Sequence, residues 1–211
     1  QLLEREHLWE NLRAVRGRSV RALLARAPNV ELCDIGIDGL VASAAGTALE
    51  VQAEESARLE SVRVRELRGH ELLGIRLSGD RLVARDAVVT GLGANEAATA
   101  LSAEADTRVE LRDIEIDGLY GRTVLGVSVH APDGEVHNVR SDHLEAREQL
   151  EAVRLAPQSR VLLSGLSVVR RFQATDMATQ LQGAADELAA AADGSDYTWL
   201  LPPGRHDFDR G

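Results

Sequence analysis

Two pairs of carboxylates have the spacing of an acid–base device: Glu110 with Glu135, and Asp117 with Asp142. Each pair is 25 residues apart, so a chain that returns to the same place at about that interval sets the partners on strands about 4.8 Å apart. Two carboxylates that close raise one pKa, leaving one group protonated and the other ionised. That is the acid and nucleophile combination of glycoside hydrolysis. Arg112, Arg140, His137 and His143 fall on the same two stretches and would hold an anionic sugar. The competing reading is an ordinary charged exterior, since Glu115 and Arg140 also fall opposite each other as a cross-strand ion pair.

Other chemistries are narrowed by residue type. All 24 basic residues are arginine, which excludes a lysine base or Schiff base. The single cysteine, Cys33, excludes an internal disulfide framework and any multi-cysteine metal site. Its columnar histidine, His137, falls four coils away, about 19 Å at the strand spacing, too far for a Cys–His dyad. His130, His137 and His143 with Asp133 fall on different faces of one coil, so surface histidines are expected there rather than a metal centre. Asp38-Gly39 and Asp117-Gly118 read as turn pairs, and neither a phosphate loop nor a dinucleotide motif is present. No cofactor is expected.

The element that would position these residues is a repeat. A motif of small residue, aliphatic, variable, aliphatic recurs at Ala22, Ala48, Gly74, Ala100, Gly126, Ala152 and, weakly, Ala178, always 26 residues on. A second block, Val30-Glu31-Leu32-Cys33-Asp34-Ile35-Gly36-Ile37, returns as Val109-Glu110-Leu111-Arg112-Asp113-Ile114-Glu115-Ile116. Superposed, its aliphatic positions give three inward columns. They read Leu32, Leu59, Ala84, Leu111, Val136, Leu163; then Ile35, Val62, Ala87, Ile114, Val139, Leu166; then Ile37, Val64, Val89, Ile116, Ser141, Val168. Alternation at period two marks half-buried strands. Between the first two columns stand Asp34, Ser61, Asp86, Asp113, Asn138 and Gly165, types that tolerate a left-handed bend.

Coils of two strands joined by a tight bend, a turn, a third strand and a polar turn predict an all-β fold. The expectation is a right-handed parallel β-helix solenoid of about 26 residues per coil, with six to seven coils and short helical capping segments. Over roughly residues 17–181 the pattern resembles the pectate-lyase-like superfamily of right-handed β-helices, at the level of the fold. A leucine-rich repeat of similar length would need an asparagine-anchored leucine signature, which this chain lacks. The resemblance implies either an enzyme or a non-enzymatic spike or adhesin. The superfamily's paired-aspartate polygalacturonase signature with its Gly-His-Gly partner is missing, as is the arginine motif of pectate lyases. Aromatics, the usual sugar-stacking platform, make up 3% of the chain, with Tyr120 the one clearly inside the coil stack.

The expected organisation is 1–16 as a helical cap or partial coil, 17–181 as the β-helix, and 182–211 as a helix plus a Leu-Pro-Pro-Gly strand. In the first segment Leu8, Leu12 and Val15 have helical spacing across Leu3 to Arg16. The last segment resembles the start of a pectate-lyase-like domain, and either caps this stack or opens another. A chain that opens on Gln1 is expected to be a piece of a longer polypeptide.

Net charge of −10 argues against nucleic-acid binding, and no apolar run is long enough for membrane insertion. No secretory leader is evident and the compartment stays open. The expected function is a non-catalytic structural or binding module of a larger spike, adhesin or phage-tail-like assembly. Its partners would be glycan or protein subunits. Outward Val83, Val88, Leu162 and Val169 raise the further expectation of a contact surface for a homo-oligomer or for the end segments. The alternative is a lyase or glycoside hydrolase on acidic glycans, using Asp117, Asp142, Glu110 and Glu135.

Overall fold

The computed structural model describes residues 11–156, 159–171 and 196–200. They form a parallel β-solenoid of about six turns. The ribbon runs through β1 (Asn11–Arg13), β2 (Arg16–Gly17), β3 (Val20–Cys33), β4 (Gly36–His130), β5 (Asp133–Leu155), β6 (Arg160–Arg171) and β7 (Asp196–Leu200). The long β4 is a strand only in its hydrogen bonding, for it winds through several coils and pairs with the coil on either side. All the strand pairings are parallel.

The inward columns superpose as the alternation predicts. Leu32 pairs with Leu59 and Leu111 with Val136, while Ile114 pairs with Val139 and then Leu166. Leu59, Ala84, Leu111 and Val136 are fully buried in one continuous apolar cluster, against which Leu32 and Leu163 pack from the two ends. Since each coil is too thin to bury its own apolar face, stability comes from stacking on the next. Ser141 interrupts the third column between Ile116 and Val168, and its buried Oγ has no hydrogen-bond partner.

The bends take the predicted form. Asp34, Ser61, Asp86, Asp113, Asn138 and Gly165 all have φ between 52° and 63°. Their polar side chains also hold successive coils together: Ser61 Oγ donates to Asp86 at 2.9 Å, and Asn138 Nδ2 donates to Asp113 at 2.5 Å. Five residues further on lies a second left-handed column that the sequence pattern showed only in part: Ala14, Gly39, Glu66, Gly91, Gly118 and His143. Both columns advance in alternating steps of 25 and 27 residues. The register shifts that produce this lie between Ala27 and Asn29 and between Gly121 and Thr123. An extra residue is thus taken up at one corner in one coil and at another corner in the next, and the 26-residue motif is their mean.

Of the helical cap or partial coil expected at the N-terminus, the described part has the form of the coil. Asn11–Arg13 pairs in parallel with Gly36–Asp38, placing Leu12 opposite Ile37, and Arg16–Gly17 pairs with Val41–Ala42. A helix would leave the edge of the first coil with unpaired N–H and C=O groups; a strand satisfies them. The rest of the stretch with helical spacing, and the helix expected at the start of 182–211, lie outside the described residues. In the C-terminal segment Asp196–Leu200 adds in parallel to Ser167–Arg171 and so extends this coil stack.

Candidate functional site

The four candidate carboxylates stand where the columns put them. Glu110 is the register partner of Glu135, and Asp117 of Asp142. Their immediate surroundings decide what they can do. Glu110 accepts from Arg85 at 2.7 Å and lies 2.9 Å from Arg112 Nε, an ion pair too misaligned to give that nitrogen a hydrogen bond. Glu135 is held by Arg108 at 3.2 Å and by Arg112 at 3.3 Å. The Arg85 hydrogen bond holds Glu110 below the usual carboxylate range against the opposing effect of burial, with the charges of Arg112, Arg85 and Arg108 adding to it. A general acid needs its pKa raised. Glu110 is shifted the wrong way for that role.

The second pair is partnered as well. Asp142 accepts from Arg140 Nε at 2.8 Å, and Asp117 lies 2.7 Å from His143 Nδ1. Arg140 faces Glu115 in register, as expected, but it forms its ion pair with Asp142 on its own strand. Substrate-binding residues expected on these coils are therefore engaged: Arg112 by two glutamates, Arg140 by Asp142, His143 by Asp117. His137 places Nδ1 2.7 Å from Ser164 Oγ on the next coil. Even the most buried carboxylate outside this face, Glu50, is matched by Arg21 at 2.5 Å and Gln52 at 2.6 Å.

Cys33 is exposed and faces Glu60 across the coils. Partial burial first, then the negative charges of Glu31, Glu60 and Asp34, raise its thiol pKa. That is the reverse of an activated nucleophile. Among the described residues no three His, Cys, Asp or Glu side chains converge as a metal site. The outward residues expected to form an apolar contact surface differ in exposure. Leu162 is 71% exposed, whereas Val83 and Val88 are half-buried within their columns. The side chain of Val169 lies outside the described residues.

Two concave regions lie among the described residues. One, of about 530 Å³, lies near Arg81, Thr107, Arg108 and Asp133. Several of its polar groups are matched: Arg108 to Asp133 at 3.8 Å, and Thr107 to Asp80. The other, of about 620 Å³, is lined by Glu66, Arg68, Gly91, Gly93, Asn95 and Tyr120. Sequence reasoning noted Tyr120 but not this cleft. The signal available was Gly91-Leu92-Gly93, two glycines on either side of a buried leucine, where the outward positions lose their side chains. Comparison of the chain with protein-family models, with curated proteins and with solved structures gives no match.

Proposed function

We propose that the chain is a non-catalytic β-helix, a rigid structural or binding module within a larger assembly of the spike, adhesin or phage-tail-like kind. The observation that carries this reading is the pairing of every candidate catalytic carboxylate: Glu110 with Arg85 and Arg112, Glu135 with Arg108 and Arg112, Asp142 with Arg140, Asp117 with His143. Glycoside hydrolysis asks for one protonated and one free carboxylate. The Arg85 hydrogen bond favours the ionised form of Glu110, and the contacts of all four occupy oxygens that would reach substrate. What the same residues do well is tie coil to coil, since Arg85 to Glu110 and Arg108 to Glu135 each cross from one turn to the next.

The coil pattern that resembles pectate-lyase-like β-helices supports a solenoid of that kind, and fold alone leaves activity open. Incubation with polygalacturonate and other acidic glycans tests the proposal. The expected outcome is no new reducing ends and no unsaturated products from either wild type or Asp142→Ala. Products from wild type that Asp142→Ala fails to release would instead establish the glycan-cleaving alternative.

A further inference from the structure

We propose that the glycine-floored cleft beside Tyr120 binds a neutral, hydroxyl-rich sugar ring of a glycan. The proposal rests on the reading of the chain as a non-catalytic binding module, and supplies its ligand class. Its basis is a gap in one outward column. Two residues beyond the second bend of successive coils stand Val41, Arg68, Gly93, Tyr120 and Glu145. Gly93 contributes no side chain, so Arg68 and Tyr120 face each other across two strand spacings, roughly 9.6 Å. A single saturated ring making carbon contacts at about 4 Å fills such a gap. In the neighbouring bend column Gly91 and Gly118 remove two more side chains, with φ of 68° and 67°.

The walls suit a sugar in particular. Tyr120 is 47% exposed on a solenoid whose other large apolar side chains are mostly interior. Its ring edge reaches toward Gly93 and its hydroxyl toward Gly118. The C–H face of a pyranose packs on such a ring while its hydroxyls point sideways. There Glu66 offers acceptors, Arg68 donors, and Asn95 both, which matches groups that donate and accept at once. Among the described residues Glu66, Arg68 and Asn95 make no ion pair or side-chain hydrogen bond, unlike the arginines and glutamates of the paired face. Their charges cancel as a set, so a uronate attracted by Arg68 would be repelled by Glu66. Neutral sugars fit.

Glu66 holds φ of 54° in a bend column where Ala14 and His143 share the left-handed backbone with Gly39, Gly91 and Gly118, so its backbone belongs to the coil and not to a ligand. It is the one carboxylate lining the cleft. Cleavage by a paired-carboxylate mechanism is therefore not expected of the bound sugar.

Isothermal titration of the purified chain with gluco-, manno- and galacto-oligosaccharides, alongside oligogalacturonate and nucleosides, tests the assignment. Saturable binding of a neutral oligosaccharide is expected, weakened at least tenfold by Tyr120→Ala and by Gly93→Leu. A Cβ at Gly93 meets only Tyr120 Cδ2 at 3.9 Å, so Gly93→Leu fills the cleft without disturbing the backbone. Should that variant melt early, the exposed Arg68→Gln replaces it and is expected to weaken binding too. Failure of every neutral oligosaccharide to bind, tighter binding of oligogalacturonate or a nucleoside, or full affinity in Gly93→Leu overturns the proposal. Chromatography of the titrated sugar separates the two readings. Cleavage products would sink the non-catalytic function while leaving the cleft in place, whereas intact but unbound sugar would sink the cleft alone.

Discussion

The strand before the first bend and the column beyond the second bend belong to the same coils, yet they use their outward positions in opposite ways. On the first, Arg85, Glu110, Arg112, Glu135 and Arg108 form a chain of ion pairs that crosses from turn to turn. On the second, Glu66 and Arg68 have no ion-pair or side-chain hydrogen-bond partner among the described residues, beside two glycines and an exposed tyrosine. A solenoid must satisfy its interior columns identically at every turn, but its exterior columns are free to vary. Neutralised columns make a wall. A column with one side chain missing makes a receptor.

The comparison assigns the difference to surface chemistry rather than to the core, and the largest expected effect checks that. Leu111 lies beneath the ion-paired strand and Leu92 between the two cleft glycines, and both are fully buried. Leu111→Ala and Leu92→Ala should each destabilise the chain by about 2–5 kcal/mol, as cavities in a close-packed core do. Urea denaturation of the two variants measures this. A value near zero for Leu92→Ala would mean that the core under the cleft is loose, and the contrast between the two faces would then be one of packing.

A smaller effect of opposite sign is expected at the bend column. Glu66→Gly replaces a residue in the left-handed region by the type already present at Gly39, Gly91 and Gly118. Removing that strain should stabilise the fold by about 1 kcal/mol, set against the greater flexibility of glycine in the unfolded chain. The same substitution removes an acceptor from the cleft and should weaken sugar binding. Thermal melting and titration on one preparation read both. Loss of stability would show that Glu66 is not strained at this bend.

How much of this was legible in the residues follows from what the pattern can encode. The first bend column was readable because Asp34, Ser61, Asp86, Asp113 and Asn138 are types that favour the left-handed region or bond their own backbone. The second was only half readable: Gly39, Gly91 and Gly118 announce a turn, whereas Ala14, Glu66 and His143 are forced into the same φ by their stacked neighbours. Register placed Glu110 against Glu135 and Asp117 against Asp142, as alternation requires. It did not say which cation each carboxylate takes, because an arginine reaches a neighbour on its own strand, as Arg112 does Glu110, as easily as one on the next coil. The cleft was the least legible feature. It depends on an absent side chain at Gly93, and absence has a meaning only once the flanking coils are stacked against it.

The smallest expected effect, and the sharpest on the comparison, sets Arg85→Ala beside Arg68→Ala. Arg85 is 44% exposed and donates to Glu110, whose side chain is 20% exposed. Such a pair contributes about 0.2–1 kcal/mol. Arg85 is the main reason that the Glu110 carboxyl lies below its ordinary value. A group whose folded pKa is depressed adds stability above its unfolded pKa and loses it as pH falls through the folded value. The difference between wild type and Arg85→Ala should therefore be present at neutral pH, shrink through the acidic carboxylate range, and diminish with added salt. Arg68 has no carboxylate partner among the described residues, so Arg68→Ala should show neither the loss at neutral pH nor the dependence on acid and salt. Equal behaviour of the two variants in denaturant titrations at neutral and acidic pH would erase the distinction between wall and receptor, because it would place Arg68 in an ion pair of its own.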